Sequence, residues 1–342
     1  SVVDVYRDYK EATGVRTIMA SWQWIDQEYS TTGDDTPERI KRCIELCEKV
    51  NGIRHVLLVG DSDVFPVRYV YSDIQLNEQD GGFYSADLYY ADLCDRDGSF
   101  SDWDGNTNGL FGEMREGTTW DGVNADGMDY YPDVAVGRIP ASTPGELACY
   151  LQKAITYEMC GNSGNWRYRA ALLASSEPRK SANNDVAKWA DLWMGSYRLT
   201  RLFEDNDVPN SSLPTVDRIQ QTLREGAGVV TFMGHGGPTT WSFVGYAYAR
   251  SNVLATLNSN RYPVAFAAAC STAKFAPCAR DAYLATSGQR HDGGDFVGRP
   301  PVPAPVQPGY DKEGMAETFL VKGEHGAAAY LGSTSVAQGD HS

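Results

Sequence analysis

"VVTFMGHGGPTTW", residues 229–241, runs apolar for five residues and then stops on a histidine set between glycines. A short, unalternated apolar run closed by glycine is the pattern of a strand buried on both faces. The chain around it keeps that rhythm. Apolar runs at 169–175, 198–203, 227–233, "PVAFAAAC" (263–270) and "GAAAYLG" (326–332) are separated by helical spacing over 183–196, 216–224, 249–258 and 312–322. Strands alternating with helices predict an α/β fold of parallel sheets flanked by helices.

An earlier stretch has the same character. "TPERIKRCIELCEKV" (36–50) places Pro37 at a helix start and apolar residues at Ile40, Cys43, Ile44, Cys47 and Val50, so the two cysteines belong to a core-facing stripe. "IRHVLLVGD" (53–61) and "YYPDVAVGRIP" (130–140) read as strands. "STPGELACYLQKAITYE" (142–158) opens a helix with Thr143 as cap and Glu146 closing a capping box. The pattern restarts after "GNSGNWR" (161–167), which divides the chain into parts 1–165 and 166–342.

In parallel sheets, ligands bind beyond the carboxyl ends of the strands. His235 stands at one such end, and Gly234, Gly236 and Gly237 let other groups approach its main chain closely. A second strand, "YPVAFAAAC", puts Cys270 at its own carboxyl end, followed by Ser271 and Thr272. If the two strands are neighbours, imidazole and thiol face one cleft. A thiol attacks as thiolate, and a nearby imidazole assists its deprotonation and later protonates a leaving amine. The amides of Gly236 and Cys270 are then the candidate oxyanion donors.

Bulk composition narrows the alternatives. The 342 residues carry a net charge of −15, against the clustered Lys and Arg that nucleic acid binding requires. No stretch approaches the roughly 20 apolar residues of a membrane span. Seven cysteines, an odd number without a CxxC pair, do not form a disulfide framework. "SVVDVYRDYK" has neither an initiator Met nor an apolar signal core, so the sequence is expected to be a piece of a longer chain.

The order GHG, Trp241 six residues after the histidine, "LNSNRYPVAFAAAC" (257–270) and a closing "LGSTS" (331–335) resembles the gingipain family of cysteine peptidases, which have a caspase-like fold. The resemblance extends upstream through "HVLLVGD", "SADLYYADL", "YYPDVAVGRIP" and "YLQKAITYE". It implies an N-terminal α/β subdomain over 1–165 and a caspase-like catalytic subdomain over 166–342. It also implies Cys270 as nucleophile, His235 as its partner, Glu177 as the carboxylate that orients the histidine, and Asp185 and Trp241 at the S1 pocket. The implied activity is endopeptidase cleavage after a basic residue, Arg favoured, at the cell surface or outside the cell. The partners would be a polypeptide substrate and a propeptide or inhibitor. The same dyad also suits a transpeptidase that passes the acyl group to an amine, or a binding module that has lost turnover. Among the departures from the Arg-specific pattern are a shorter link between Glu177 and Asp185, the absence of an aromatic just after "LGSTS", and a proline-rich insertion over 287–311.

Between Asp80 and Asp133, eleven aspartates and two glutamates face only two arginines. Within this segment "DWDGNTNGLFGE" (102–113) offers oxygens at alternate positions, Asp102, Asp104, Asn106 and Asn108, and then Glu113, a spacing that curls around a hard cation. Starting at Asp104 matches the opening of a calcium loop through Gly109, whereas starting at Asp102 puts Glu113 twelfth and loses the glycine. A structural calcium remote from Cys270 is the expectation, with a solvated acidic turn as the alternative.

Overall fold

A computed structural model describes residues 1–72, 82–115, 123–159, 164–176, 181–205, 208–278, 283–284, 289–291, 303 and 313–335. Two compact units emerge, one formed by Arg16–Ser142 with Ala276–Lys312, the other by Ser1–Val15, Thr143–Phe275 and Glu313–Ser342.

In the first unit, helices α2 (Trp22–Glu28) and α3 (Thr36–Asn51) pack beside a parallel pair, β1 (His55–Val59) and β6 (Ala135–Ile139). Asp35 caps α3 by accepting from Glu38 N at 3.0 Å. Cys43 and Ile40 then face a core shared with Leu58, Tyr89, Tyr90, Leu93 and Trp103. Short antiparallel pairs complete it: β2 (Tyr69–Tyr71) with β3 (Phe83–Ser85), β4 (Met114–Arg115) with β5 (Val123–Asn124), and β15 (Tyr283–Leu284) with β16 (Arg290–His291). Lys41 is fully buried here, with its Nζ donating to the Ser101 carbonyl and lying 4.4 Å from the Tyr89 ring centroid. Burial drops its pKa to about 7, since desolvation disfavours the ammonium.

The second unit is built on parallel strands in the spatial order β17 (Ala329–Gly332), β14 (Val264–Ala268), β10 (Val229–Met233), β7 (Arg169–Ala174), β8 (Arg198–Phe203) and β9 (Ser211–Ser212). Successive residues of a strand point to opposite faces, and here each face has its own core. Ala171, Leu173, Val230 and Phe232 join Ile219 and Leu223 of α6 (Val216–Glu225), Val253 of α7 (Arg250–Leu254) and Phe319 of α8 (Met315–Val321). Ala170, Leu172 and Ala174 join Val186 and Ala190 of α5 (Ser181–Trp193). Covering both faces is what makes continuous apolar strands stable in water, as the sequence pattern required.

After β10 the chain turns into a meander that the alternating reading did not anticipate: β11 (His235–Gly237), β12 (Thr240–Phe243) and β13 (Tyr246–Ala249), antiparallel throughout.

The units part at 142/143 rather than at the expected 165/166. The cause is α4 (Pro144–Met159), which packs on α1 (Val2–Ala12) and α8. Tyr150 Oη donates to Ala328 O at 3.0 Å, and Lys153 Nζ donates to Phe319 O and His325 O at 3.0 and 2.8 Å. The Thr143 and Glu146 capping box expected for α4 is formed, with backbone-to-side-chain bonds of 3.2 and 3.3 Å.

Candidate active site

Strands β10 and β14 are hydrogen-bonded neighbours, with Met233 opposite Ala268. Two residues beyond each lie His235 and Cys270, so parallel pairing delivers imidazole and thiol to the same edge of the sheet. Gly234 N donates to Ala268 O at 3.3 Å, carrying the ladder one step past the strand.

The glycines on either side of His235 are required by space. A Cβ on Gly234 would stand 2.7 Å from Ser175 Cβ, on the β7 side. One on Gly236 would stand 2.6 Å from Thr272 Cγ2, 2.8 Å from Ala269 Cβ and 3.0 Å from Cys270 O, on the β14 side. Contacts under 3.0 Å force something to move, so the histidine turn is wedged between the ends of two strands. Gly236 and Cys270, the expected oxyanion pair, are thereby brought together. His235 itself is exposed and Cys270 half-buried.

The turn after Cys270 is bent in an unusual way. Ser271 is buried and has φ +53°, a left-handed conformation that costs a non-glycine residue about 1–3 kcal/mol and persists only where the surroundings enforce it. The enforcing partners come from the "LGSTS" segment: Ser271 N donates to Ser335 O at 2.7 Å and Ala273 N to Ser333 O at 2.9 Å.

On the other flank, β7 leads to Ser175, whose N donates to Met233 O at 2.9 Å. Glu204, just past β8, accepts from Ser175 Oγ and Ser176 N, both at 2.8 Å, and from Ser176 Oγ at 3.3 Å. Glu177 follows directly but lies outside the described residues, as do most of the proline-rich segment and its Arg299. Asp185 is half-buried in the second turn of α5, the helix that packs on β7.

Trp241 is not a pocket wall. It is fully buried, with ring centroids 5.1 Å from Phe232, 5.3 Å from Phe319 and 5.8 Å from Tyr248, so no face of its ring is open to a ligand. Its Nε1 donates to the Tyr330 hydroxyl at 2.9 Å. A tryptophan near a catalytic histidine has the same sequence signature whether it lines a pocket or fills a core, and here the apolar meander decides for the core.

The chain matches the model of peptidase family C25 along residues 1–342. It belongs to that family. Among curated members, gingipain R2 of Porphyromonas gingivalis is 26% identical over 168 residues, covering 46% of this chain and 22% of that protein. An uncharacterised protein of Archaeoglobus fulgidus is 26% identical over 230 residues, covering 62% of this chain and 49% of that protein. This C25 chain therefore spans under half the length of these relatives. Solved structures share the fold: one described as "Structure of Protease" superposes with TM-score 0.63 at 16% identity over 98% of this chain and 57% of its own. The Arg-specific cysteine proteinase gingipain R (RgpB) superposes with TM-score 0.60 at 16% identity over 98% and 60%. The caspase-like α/β fold expected from the sequence is the fold of this C25 chain.

The acidic loop lies in the other unit. Asp104 accepts from Asn108 N at 2.9 Å and from Gly109 N, while the side-chain amides of Asn106 and Asn108 both donate to Glu113 Oε2 at 2.9 Å. Asp126, not singled out by sequence, accepts from Glu113 N at 2.6 Å and keeps a buried Oδ1 without a hydrogen-bond partner. Burial raises its pKa, and the nearby Asp104 and Glu113 add to the shift. Asp102 is exposed and takes no part in this network. Among the described residues no three His, Cys, Asp or Glu side chains form a ready metal site. The oxygen-rich donor set of Asp104, Asn106, Asn108, Glu113 and Asp126 fits a hard cation in chemistry. The orphaned Asp126 oxygen is the feature that such an ion would satisfy. No helix among the described residues is long and apolar enough to cross a membrane.

Proposed function

We propose that the chain is a cysteine endopeptidase that cleaves polypeptides after a basic residue, Arg favoured. The observation that carries this reading is the neighbouring placement of β10 and β14, which sets His235 and Cys270 at one sheet edge with Gly236 against the Cys270 carbonyl.

In the reaction, His235 takes the Cys270 thiol proton and the thiolate attacks the scissile carbonyl carbon, forming a C–S bond. The negative charge that develops on the carbonyl oxygen is stabilised by the Gly236 and Cys270 amides. As the C–N bond breaks, the imidazolium returns the proton to the leaving amine. Water, deprotonated by His235, then cleaves the thioester and restores the thiol. Glu177 orients the imidazole, and Asp185 pairs with the guanidinium of the residue before the scissile bond.

A solved complex of the RgpB pro- and mature domains shows that gingipain engages a pro-segment; a propeptide is a fitting partner for this chain too, and an extracellular or cell-surface setting fits both. A calcium held by Asp104, Asn106, Asn108, Glu113 and Asp126 would brace the acidic loop and take no part in the chemistry.

The test is a peptide library scanning the residue before the scissile bond, with wild type beside Cys270→Ala and Asp185→Ala. The expected result is cleavage after Arg that is abolished in Cys270→Ala and selectively weakened in Asp185→Ala. Hydrolysis that survives in Cys270→Ala would overturn the reading.

A further inference from the structure

We propose that Thr272 is the positioning residue that fixes the spacing of His235 and Cys270, acting on the histidine turn through Gly236 and on the nucleophile turn through its hydroxyl, which bonds the Ala269 carbonyl and packs beside the Tyr330–Trp241 hydrogen bond. The inference rests on the reading of Cys270 as the nucleophile.

Thr272 is fully buried two residues after Cys270, where β10, β14 and β17 end side by side. On one side its methyl occupies the space that a Cβ on Gly236 would need, at 2.6 Å. On the other its hydroxyl occupies the space that a Cβ on Gly332 would need, at 2.8 Å. The threonine thus fills the gap left by two glycines, one adjoining His235 and one at the end of the last strand. Neither methyl nor hydroxyl is redundant, because each meets a different wall.

The hydroxyl also sits beside a polar contact between β17 and the meander. Trp241 Nε1 donates to Tyr330 Oη at 2.9 Å, and Thr272 Oγ1 donates at 3.4 Å to Ala269 O, the carbonyl just before Cys270. A Cβ on Gly332 would meet Thr272 Oγ1 at 2.8 Å and Tyr330 Cε1 at 2.9 Å, so the two side chains adjoin at the end of β17. Burial pushes the Tyr330 phenol up to about 12, so it keeps its proton throughout the neutral range. Trp241 lies on β12, which pairs with the His235 strand β11, and Tyr330 lies on β17. These contacts tie the histidine hairpin, β17 and the strained Ser271 turn to one another.

The experiment uses the whole chain carrying Thr272→Val, which keeps the shape and loses the hydroxyl, Thr272→Ser, which keeps the hydroxyl and loses the methyl, and Tyr330→Phe. Three quantities are read: kcat and KM on an Arg peptide, the pH profile of iodoacetamide alkylation followed at the Cys270 peptide by mass, and Tm. Thr272→Val and Tyr330→Phe are each expected to lower kcat about tenfold with KM within about twofold, and to move the alkylation profile to higher pH as the imidazole–thiol pairing loosens. Thr272→Ser, which leaves the space beside Gly236 unfilled, should lower kcat by a similar factor. Wild-type kcat and an unmoved alkylation profile in both hydroxyl-deleted variants, or activity that falls only in step with Tm, overturns the proposal. Should Thr272→Val not fold, Tyr330→Phe, which removes one oxygen, decides alone. Hydrolysis that persists in Cys270→Ala instead defeats the nucleophile reading itself, a separate outcome.

Discussion

The Glu204 carboxylate and the Val244 amide meet at 2.7 Å, joining the end of β8 to the tip of the β12–β13 hairpin. Because the same carboxylate receives Ser175 and Ser176, one side chain gathers the exit of β7 and the hairpin that follows His235. Glu204→Ala strands these donors, and an unfolding free energy lower by about 2–3 kcal/mol is expected. Activity should fall with it, since Ser176 leads into Glu177. Urea titration beside a peptide assay checks both, and a variant as stable as wild type removes the clamp from the account.

Gly236→Ala and Gly237→Ala differ by one position and should differ in outcome. The first places a methyl under 3.0 Å from Thr272 and Ala269, whereas the nearest atom to the second is Thr240 Oγ1 at 3.5 Å. Overpacking at 236 is expected to cost about 1–3 kcal/mol and most of the activity, while stability at 237 stays within about 0.5 kcal/mol of wild type. Equal melting temperatures for the two variants would contradict the wedge.

Lys41 makes stability depend on pH with a definite sign. Its folded pKa, about 7, lies below the ordinary lysine value of 10.5, so between those values the unfolded chain holds a proton that the folded chain has released. The contribution of this group to stability therefore rises with pH above about 7, by up to about 1.4 kcal/mol per unit, until the unfolded lysine titrates. Lys41→Met lacks that rise. The difference in unfolding free energy between wild type and variant, measured from about pH 7 to 9, should climb with pH; a flat difference would show that Lys41 stays charged in the fold.

Calcium binding is expected to raise Tm at millimolar concentration, through Glu113 and the orphaned oxygen of Asp126. Glu113→Gln and Asp126→Asn should abolish the shift while leaving the fold intact. Calorimetry with no heat of binding in wild type would dismiss the ion.

Much of the second unit is legible in the sequence because burial on both faces leaves a plain trace. The runs ending at His235 and Cys270 could be read as strands with nothing but hydrophobic continuity, and β8 agrees with its sequence range to the residue. The meander was missed although Trp241, Phe243, Tyr246 and Tyr248 alternate around Gly245, since a helix–strand rhythm had already claimed the space between two strands. Its consequence was the misplacement of Trp241. The helix expected over 249–258 runs only from Arg250 to Leu254, with β13 taking its first residue. Thr272, Glu204 and Asp126 gain their roles only from neighbours far away in the chain. Asp126 sits thirteen residues from Glu113, beyond the reach of any loop pattern.

The carbonyls of Ser333 and Ser335 that hold the bent turn after Cys270 belong to a stretch made some sixty residues after the thiol itself. During synthesis the sulfur emerges first and the brace last. A nascent chain therefore carries Cys270 on an unbraced turn until β17 and the segment after it dock, a delay written into the order of translation.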